Sequence, residues 1–170
     1  SDSFGYNVIT QGGDGLYSNN GGFKSSEVTS VSGYGLFSTK SMNLNSLFEE
    51  TSKLLTVDLS NVTIPNIISS SQMFYNSAKL ESVDLTGIDF SNVGSLEWMF
   101  GNSPVLTTIT FGPDIDTSNA TDMSYMFSGC TALNTEPVNL DKFSTSKVLD
   151  MSFMFAGTTD RKSTRLNSSH

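Results

Sequence analysis

Histidine and arginine are missing from the first 159 residues of this 170-residue chain: Arg161, Arg165 and the only histidine, His170, all fall in the last eleven positions. Without them, His-dependent triads, the usual zinc sites and arginine clamps on phosphate are excluded from the main body. Cysteine occurs once, at Cys130, so no internal disulfide can form, and its thiol has no histidine to serve as a base. Charged residues make up only 15%, which leaves Ser, Thr and Asn to cover the surface. No run reaches the roughly 18 apolar residues that span a bilayer, so direct membrane insertion is not expected. The opening stretch SDSFGYNVIT is not a signal peptide and lacks an initiator Met; it reads as a mature end or a cut.

What is present suffices for one domain with a sizeable core: 36% apolar residues, with twelve Phe and seven Met. The formal net charge is −8, and the first 159 residues carry 16 acidic against 6 basic groups. That balance disfavours nucleic acid and anionic membranes as partners.

An internal repeat organises the chain. A bulky pair recurs as Leu47-Phe48, Met73-Phe74, Met99-Phe100, Met126-Phe127 and Met154-Phe155, at separations of 26, 26, 27 and 28 residues. Three positions earlier stand Leu44, Leu96, Met123 and Met151, with Ser70 breaking the column; eleven earlier stand Leu36, Val62, Ile88, Ile115 and Phe143. The longer separations come from insertions at Gly112 to Asp114 and at Asn134 to Pro137, where loops absorb them.

Each repeat divides in two. LESVDLT alternates, with Leu80, Val83 and Leu85 inward and Ser82, Asp84 and Thr86 outward, the pattern of a half-exposed strand. TSNATDMSYMF sets Ala120, Met123, Met126 and Phe127 at helical spacing behind Ser118 as N-cap, predicting a short helix on which Trp98 and Tyr125 are partly exposed. About seven buried side chains at roughly 2 kcal/mol each cannot order about 26 residues at around 1.5 kcal/mol apiece. Stacking is therefore obligatory, and the expected fold is α/β: a solenoid with short parallel strands on one face and short helices on the other. Residues 1–27 stand outside the register, and eight of the fourteen glycines fall before position 36, so this segment is read as an irregular cap or a linker.

The stretches LESVDLTGIDFSNVGSLEWMF and DTSNATDMSYMFSGCTALN resemble the BspA-like leucine-rich repeat of bacterial surface proteins, L-x-x-L-D-L-S-x-F-D-T-S-x-V-T-D-M-S-x-M-F-x-x-C. The likeness covers about residues 28–159; Ile64-Pro65 and Ser70 interrupt the second copy. It implies a leucine-rich-repeat solenoid at a cell surface or in the extracellular space, used for adhesion or protein recognition and not an enzyme. Residues 160–170, DRKSTRLNSSH, match one for one the in-frame translation of a common short-read sequencing adapter. They are read as a non-native tail following a repeat cut short, and the solenoid as residues 28–159.

A solenoid presents its strand ladder as an extended surface, so the candidate ligand face is Thr56, Asp58, Ser60, Ser82, Asp84, Thr86, Thr108, Thr110, Asn139 and Asp141. Its partner is expected to be a protein or surface glycan of basic character, bound weakly and in a salt-sensitive way. The other reading is a passive stalk projecting another domain. Asp58 and Asp84 on adjacent rungs suggest calcium, but Thr110 occupies the next rung and no D-x-D-x-D-G loop exists, so no metal or cofactor is expected. QGGDG lacks the G-K-[ST] ending of a phosphate loop. Cys130 shares its column with Thr51, Ser77 and Ser103, which marks a small buried packing position.

Overall fold

The computed structural model describes residues 3–5, 29–36, 42–133 and 140–158. Among them are seven strands: β1 (Ser3–Gly5), β2 (Ser30–Leu36), β3 (Met42–Asn43), β4 (Thr56–Thr63), β5 (Ile67–Ser69), β6 (Ser82–Asp84) and β7 (Thr108–Thr110). All pairings are parallel; β1, β2, β4, β6 and β7 lie side by side in that order, and β3 pairs with β5 in a second sheet. Each strand pairs with its counterpart one repeat later: Thr56 faces Ser82, and Ser82 faces Thr108. The alternation read from the sequence sets the faces, because Val57, Val83 and Ile109 are each 2% exposed while their neighbours point outward.

The second half of the repeat is not helical. Among the described residues there is no α-helix, only a 3₁₀ turn at Leu140–Lys142. In place of i to i−4 bonds, alternate amides reach into the next repeat. Gln72 N–H donates to the Glu97 carbonyl at 2.9 Å, Phe74 N–H to Met99 at 2.8 Å and Asn76 N–H to Gly101 at 2.9 Å. The amides between them close local turns, Met73 N–H onto the Ser70 carbonyl and Tyr75 N–H onto Gln72. The same scheme joins Trp98, Phe100 and Asn102 to Ser124, Met126 and Ser128, and Tyr125, Phe127 and Gly129 to Ser152, Met154 and Ala156. Single bridges Ser69–Ser95, Ser95–Asp122 and Asp122–Asp150 continue the line begun by β3 and β5.

This path requires left-handed backbone at the residue before each bulky pair, Ser46, Gln72, Trp98, Tyr125 and Phe153, with φ between 55° and 60°. It requires it again two residues after each Phe, at Glu50, Asn76, Asn102, Gly129 and Gly157. A helix loses here for two reasons. Ser, Thr, Asn and Asp offer the backbone competing bonds, and the cross-repeat ladder brings equivalent side chains into contact. Phe48, Phe74, Phe100, Phe127 and Phe155 consequently stack in one column, with successive centroids 5.3 to 5.6 Å apart and planes within 10° of parallel. Phe111, at the exit of β7, packs edge-on against Phe100 at 6.0 Å, joining strand half and turn half in one core.

Candidate recognition surfaces

The sheet brings eight of the ten candidate ligand-face residues together. Thr56, Ser82 and Thr108 form one row and Asp58, Asp84 and Thr110 the next, while Ser60 and Thr86 lie just past the paired segment. Asp58, Thr86, Thr108 and Thr110 are exposed; Thr56, Ser60, Ser82 and Asp84 are half-buried. Asp141 is a correction: it is exposed in the 3₁₀ turn, not on a rung of the ladder. The insertion after Asn134 lies between it and the last paired strand, so the register that ran from β4 to β7 does not carry forward to it. Asn139 lies outside the described residues. On the other side the face is longer than the sequence suggested, since Ser30 and Ser32 of β2 pair with Thr56 and Asp58.

The carboxylates on this face are partly engaged. Asp58 Oδ1 accepts both the N–H and the hydroxyl of Ser60, at 2.9 and 2.6 Å. Asp84 Oδ1 accepts the same pair from Thr86, at 3.0 and 2.6 Å. One oxygen of each carboxylate thus shapes the strand exit. The Asp-x-Ser/Thr unit recurs on other faces: Asp89, Asp116, Asp122 and Asp150 accept the N–H of Ser91, Ser118, Ser124 and Ser152. Ser118 is therefore the donor in an Asx turn, not a helix N-cap. The spacing is plain in the sequence and is the signal that a helix reading passed over.

A second surface was missed by sequence reasoning. Tyr75, Trp98, Tyr125 and Phe153 form an outer aromatic stripe, with Trp98 and Tyr125 stacked at 4.2 Å, Tyr125 and Phe153 at 5.0 Å, and Tyr75 edge-on to Trp98 at 5.2 Å. Three of its members occupy the left-handed position before the bulky pair. Tyr125 has a stacked ring on either side, whereas Phe153, 56% exposed, ends the stack. Nearby, partial burial first, then the charges of Asp122 and Asp150, raise the Glu97 carboxyl above the usual carboxylate range.

Cys130 is a packing residue. Its Sγ donates to the Phe100 carbonyl at 2.9 Å, the bond that Ser103 makes to Phe74 one repeat earlier and Ser77 to Phe48 two repeats earlier. Burial pushes its thiol up to about 12, which leaves no thiolate for nucleophilic chemistry near neutral pH. Among the described residues no group of three or more His, Cys, Asp or Glu is placed to hold a metal ion, and no helix is long and apolar enough to cross a membrane.

A sequence repeat, parallel pairing between equivalent strands and outward polar positions are what the described residues share. Residues 24–110 and 108–168 match the family model described as "Mycoplasma protein of unknown function, DUF285", and the chain belongs to that family. No curated protein and no solved structure matches it.

Proposed function

We propose that the chain is a non-catalytic recognition module, a leucine-rich-repeat solenoid of the BspA-like kind that works at a cell surface or in the extracellular space. In this reading residues 28–159 stack as the solenoid, residues 1–27 cap or link it, and residues 160–170 take no part. The observation that carries the proposal is the in-register outward face: Thr56, Ser82 and Thr108 beside Asp58, Asp84 and Thr110, short polar side chains on a sheet fixed by backbone pairing. Such a face costs little side-chain entropy to order against a partner. Each Asp uses Oδ1 internally, and its second oxygen remains to accept from a basic group. The bonds that Thr51, Ser77 and Cys130 make inside the core give them packing work, which supports a role without catalysis.

The test is binding of a lysine-rich peptide at low ionic strength to the native protein and to the Asp58→Asn/Asp84→Asn double variant. Asn keeps the Oδ1 acceptor for Ser60 and Thr86, so the fold is retained while the charge is lost. Weaker, still salt-sensitive binding is expected; unchanged affinity removes this face. A passive stalk is the second reading, favoured by the unbroken Phe column that stiffens the stack. It expects no binding by either protein.

A further inference from the structure

Around each bulky pair the bonds between repeats run one way: a rung donates its alternate amides forward and accepts from the rung behind. Met123, Tyr125, Phe127 and Gly129 follow this rule, donating to the carbonyls of Asp150, Ser152, Met154 and Ala156. Their counterparts Met151, Phe153, Phe155 and Gly157 donate to nothing among the described residues. The carbonyls between them are engaged, since those of Met151, Phe153 and Phe155 accept local turns from Met154, Ala156 and Thr158. This edge is therefore a row of N–H donors in which every carbonyl from Asp150 to Ala156 already accepts a bond. It is flanked by the two most exposed large apolar side chains among the described residues, Leu149 at 89% and Phe153 at 56%. At the opposite edge of the ladder the polarity is reversed. The carbonyls of Asn45, Leu47 and Glu49 stand one repeat before those of Ser71, Met73 and Tyr75, which accept from Ser46, Phe48 and Glu50. Those of Asn45, Leu47 and Glu49 accept no hydrogen bond among the described residues.

We infer that the donor edge docks the acceptor edge of a second copy of this chain, head to tail. Phe153, Phe155 and Gly157 N–H then meet the carbonyls of Asn45, Leu47 and Glu49, as Tyr125, Phe127 and Gly129 meet Ser152, Met154 and Ala156 within one copy. The polarity of the bonds selects this occupant. Two donor edges cannot pair with each other, because an N–H accepts nothing, so a symmetric dimer through this edge is excluded. Donors on every second residue call for acceptors on every second residue, and the chain carries that row on a ladder of the same kind. Docking also withdraws the exposed surface of Leu149 and Phe153 from water. A contact between two different edges leaves a donor edge open on one copy and an acceptor edge on the other, so the product grows by further copies. The inference goes beyond the recognition reading and does not involve the carboxylates of Asp58 and Asp84.

The experiment uses the full chain. Dilute isotope-labelled protein is titrated with unlabelled protein from micromolar to millimolar concentration, and sedimentation velocity is run over the same range. Expected is a sedimentation coefficient that keeps rising past the dimer, while the amide signals of Phe153, Phe155 and Gly157 move downfield and that of Phe127 stays in place. Phe153→Asp removes the exposed ring on left-handed backbone that Asp tolerates, and sets a negative charge towards Glu49 of the second copy. It should weaken association by about tenfold, the scale of one lost aromatic anchor. Leu149→Lys, at a side chain 89% exposed, should weaken it without touching the core. Asp58→Asn should leave it unchanged. A monomer at every concentration, a plateau at the dimer, or indifference to both Phe153→Asp and Leu149→Lys would each overturn the inference. So would amide protection at Phe153, Phe155 and Gly157 that is the same at every concentration, since the acceptor would then lie within the chain. Loss of peptide binding in the Asp58→Asn/Asp84→Asn variant bears only on the strand face, so the two readings fail separately.

Discussion

The rings of Phe74 and Phe100 lie 5.4 Å apart and 3° from parallel, an aromatic contact between equivalent positions of adjacent repeats. Neither ring is measurably exposed, and Phe100 also touches Phe127 and Phe111. Removing it opens a hole in the middle of the column. Phe100→Ala should cost about 3 to 5 kcal/mol, and Phe100→Leu clearly less. Urea unfolding gives both values. A cost below about 1 kcal/mol for the alanine variant would show that the column is not the support of the stack.

Left-handed backbone at Gln72 separates the turn ladder from a helix by a simple substitution. At φ 58° a Gly is free of the strain that Gln bears, so Gln72→Gly should leave stability unchanged or raise it. Gln72→Val should lower it by about 1 to 2 kcal/mol, since a β-branched residue resists this conformation. A helix reverses the glycine result, with a loss of about 1 kcal/mol. Thermal unfolding of the two variants decides between them.

Cys130 should resist iodoacetamide in the folded protein across pH 7 to 9 and react once denatured, because its thiol is held up to about 12 by burial. The sign for stability follows. The folded thiol stays protonated while the unfolded one ionises, so its contribution is complete below about pH 9 and is lost as pH rises towards 12. Cys130→Ser should fold, since Ser77 and Ser103 already make the equivalent bond. Rapid alkylation of native protein would contradict the packing role.

Glu97 should titrate above an ordinary glutamate, and Asp122→Asn should bring it part of the way down, as Asp122 is the larger of its two charged causes. The carboxyl carbon shift of Glu97 followed against pH measures this directly. Because the raised value disfavours the charged form, folding loses a little stability as pH rises through that titration. No change in the variant would mean that Asp122 does not contribute to the raised value.

The bulky pairs were legible in the sequence because core positions demand large apolar side chains whatever the backbone between them, and Leu47 through Phe155 are buried accordingly. The strand faces were legible for a similar reason, since only a period of two keeps Val57, Val83 and Ile109 inside. The second half misled because burial at Met123, Met126 and Phe127 satisfies a helix and a ladder of turns equally well. Gln72, Trp98 and Tyr125 are not residues that announce left-handed backbone. The column Asn76, Asn102, Gly129 and Gly157 does announce it, and would have told against a helix. The aromatic stripe was hidden by the same error. Tyr75 stands after its bulky pair and Trp98 before the next, and only the turn path brings them together.

Both outward faces exist only if backbone hydrogen bonds join repeat to repeat in the turn half as well as in the sheet. A trans-hydrogen-bond scalar coupling experiment on the deuterated protein measures which carbonyl carbon is coupled to the amide nitrogen of Phe74. Coupling to Met99, one repeat onward at 2.8 Å, is the expected result. Coupling to Ser70, four residues back as in an α-helix, would contradict it and dissolve the register on which the candidate recognition surfaces depend.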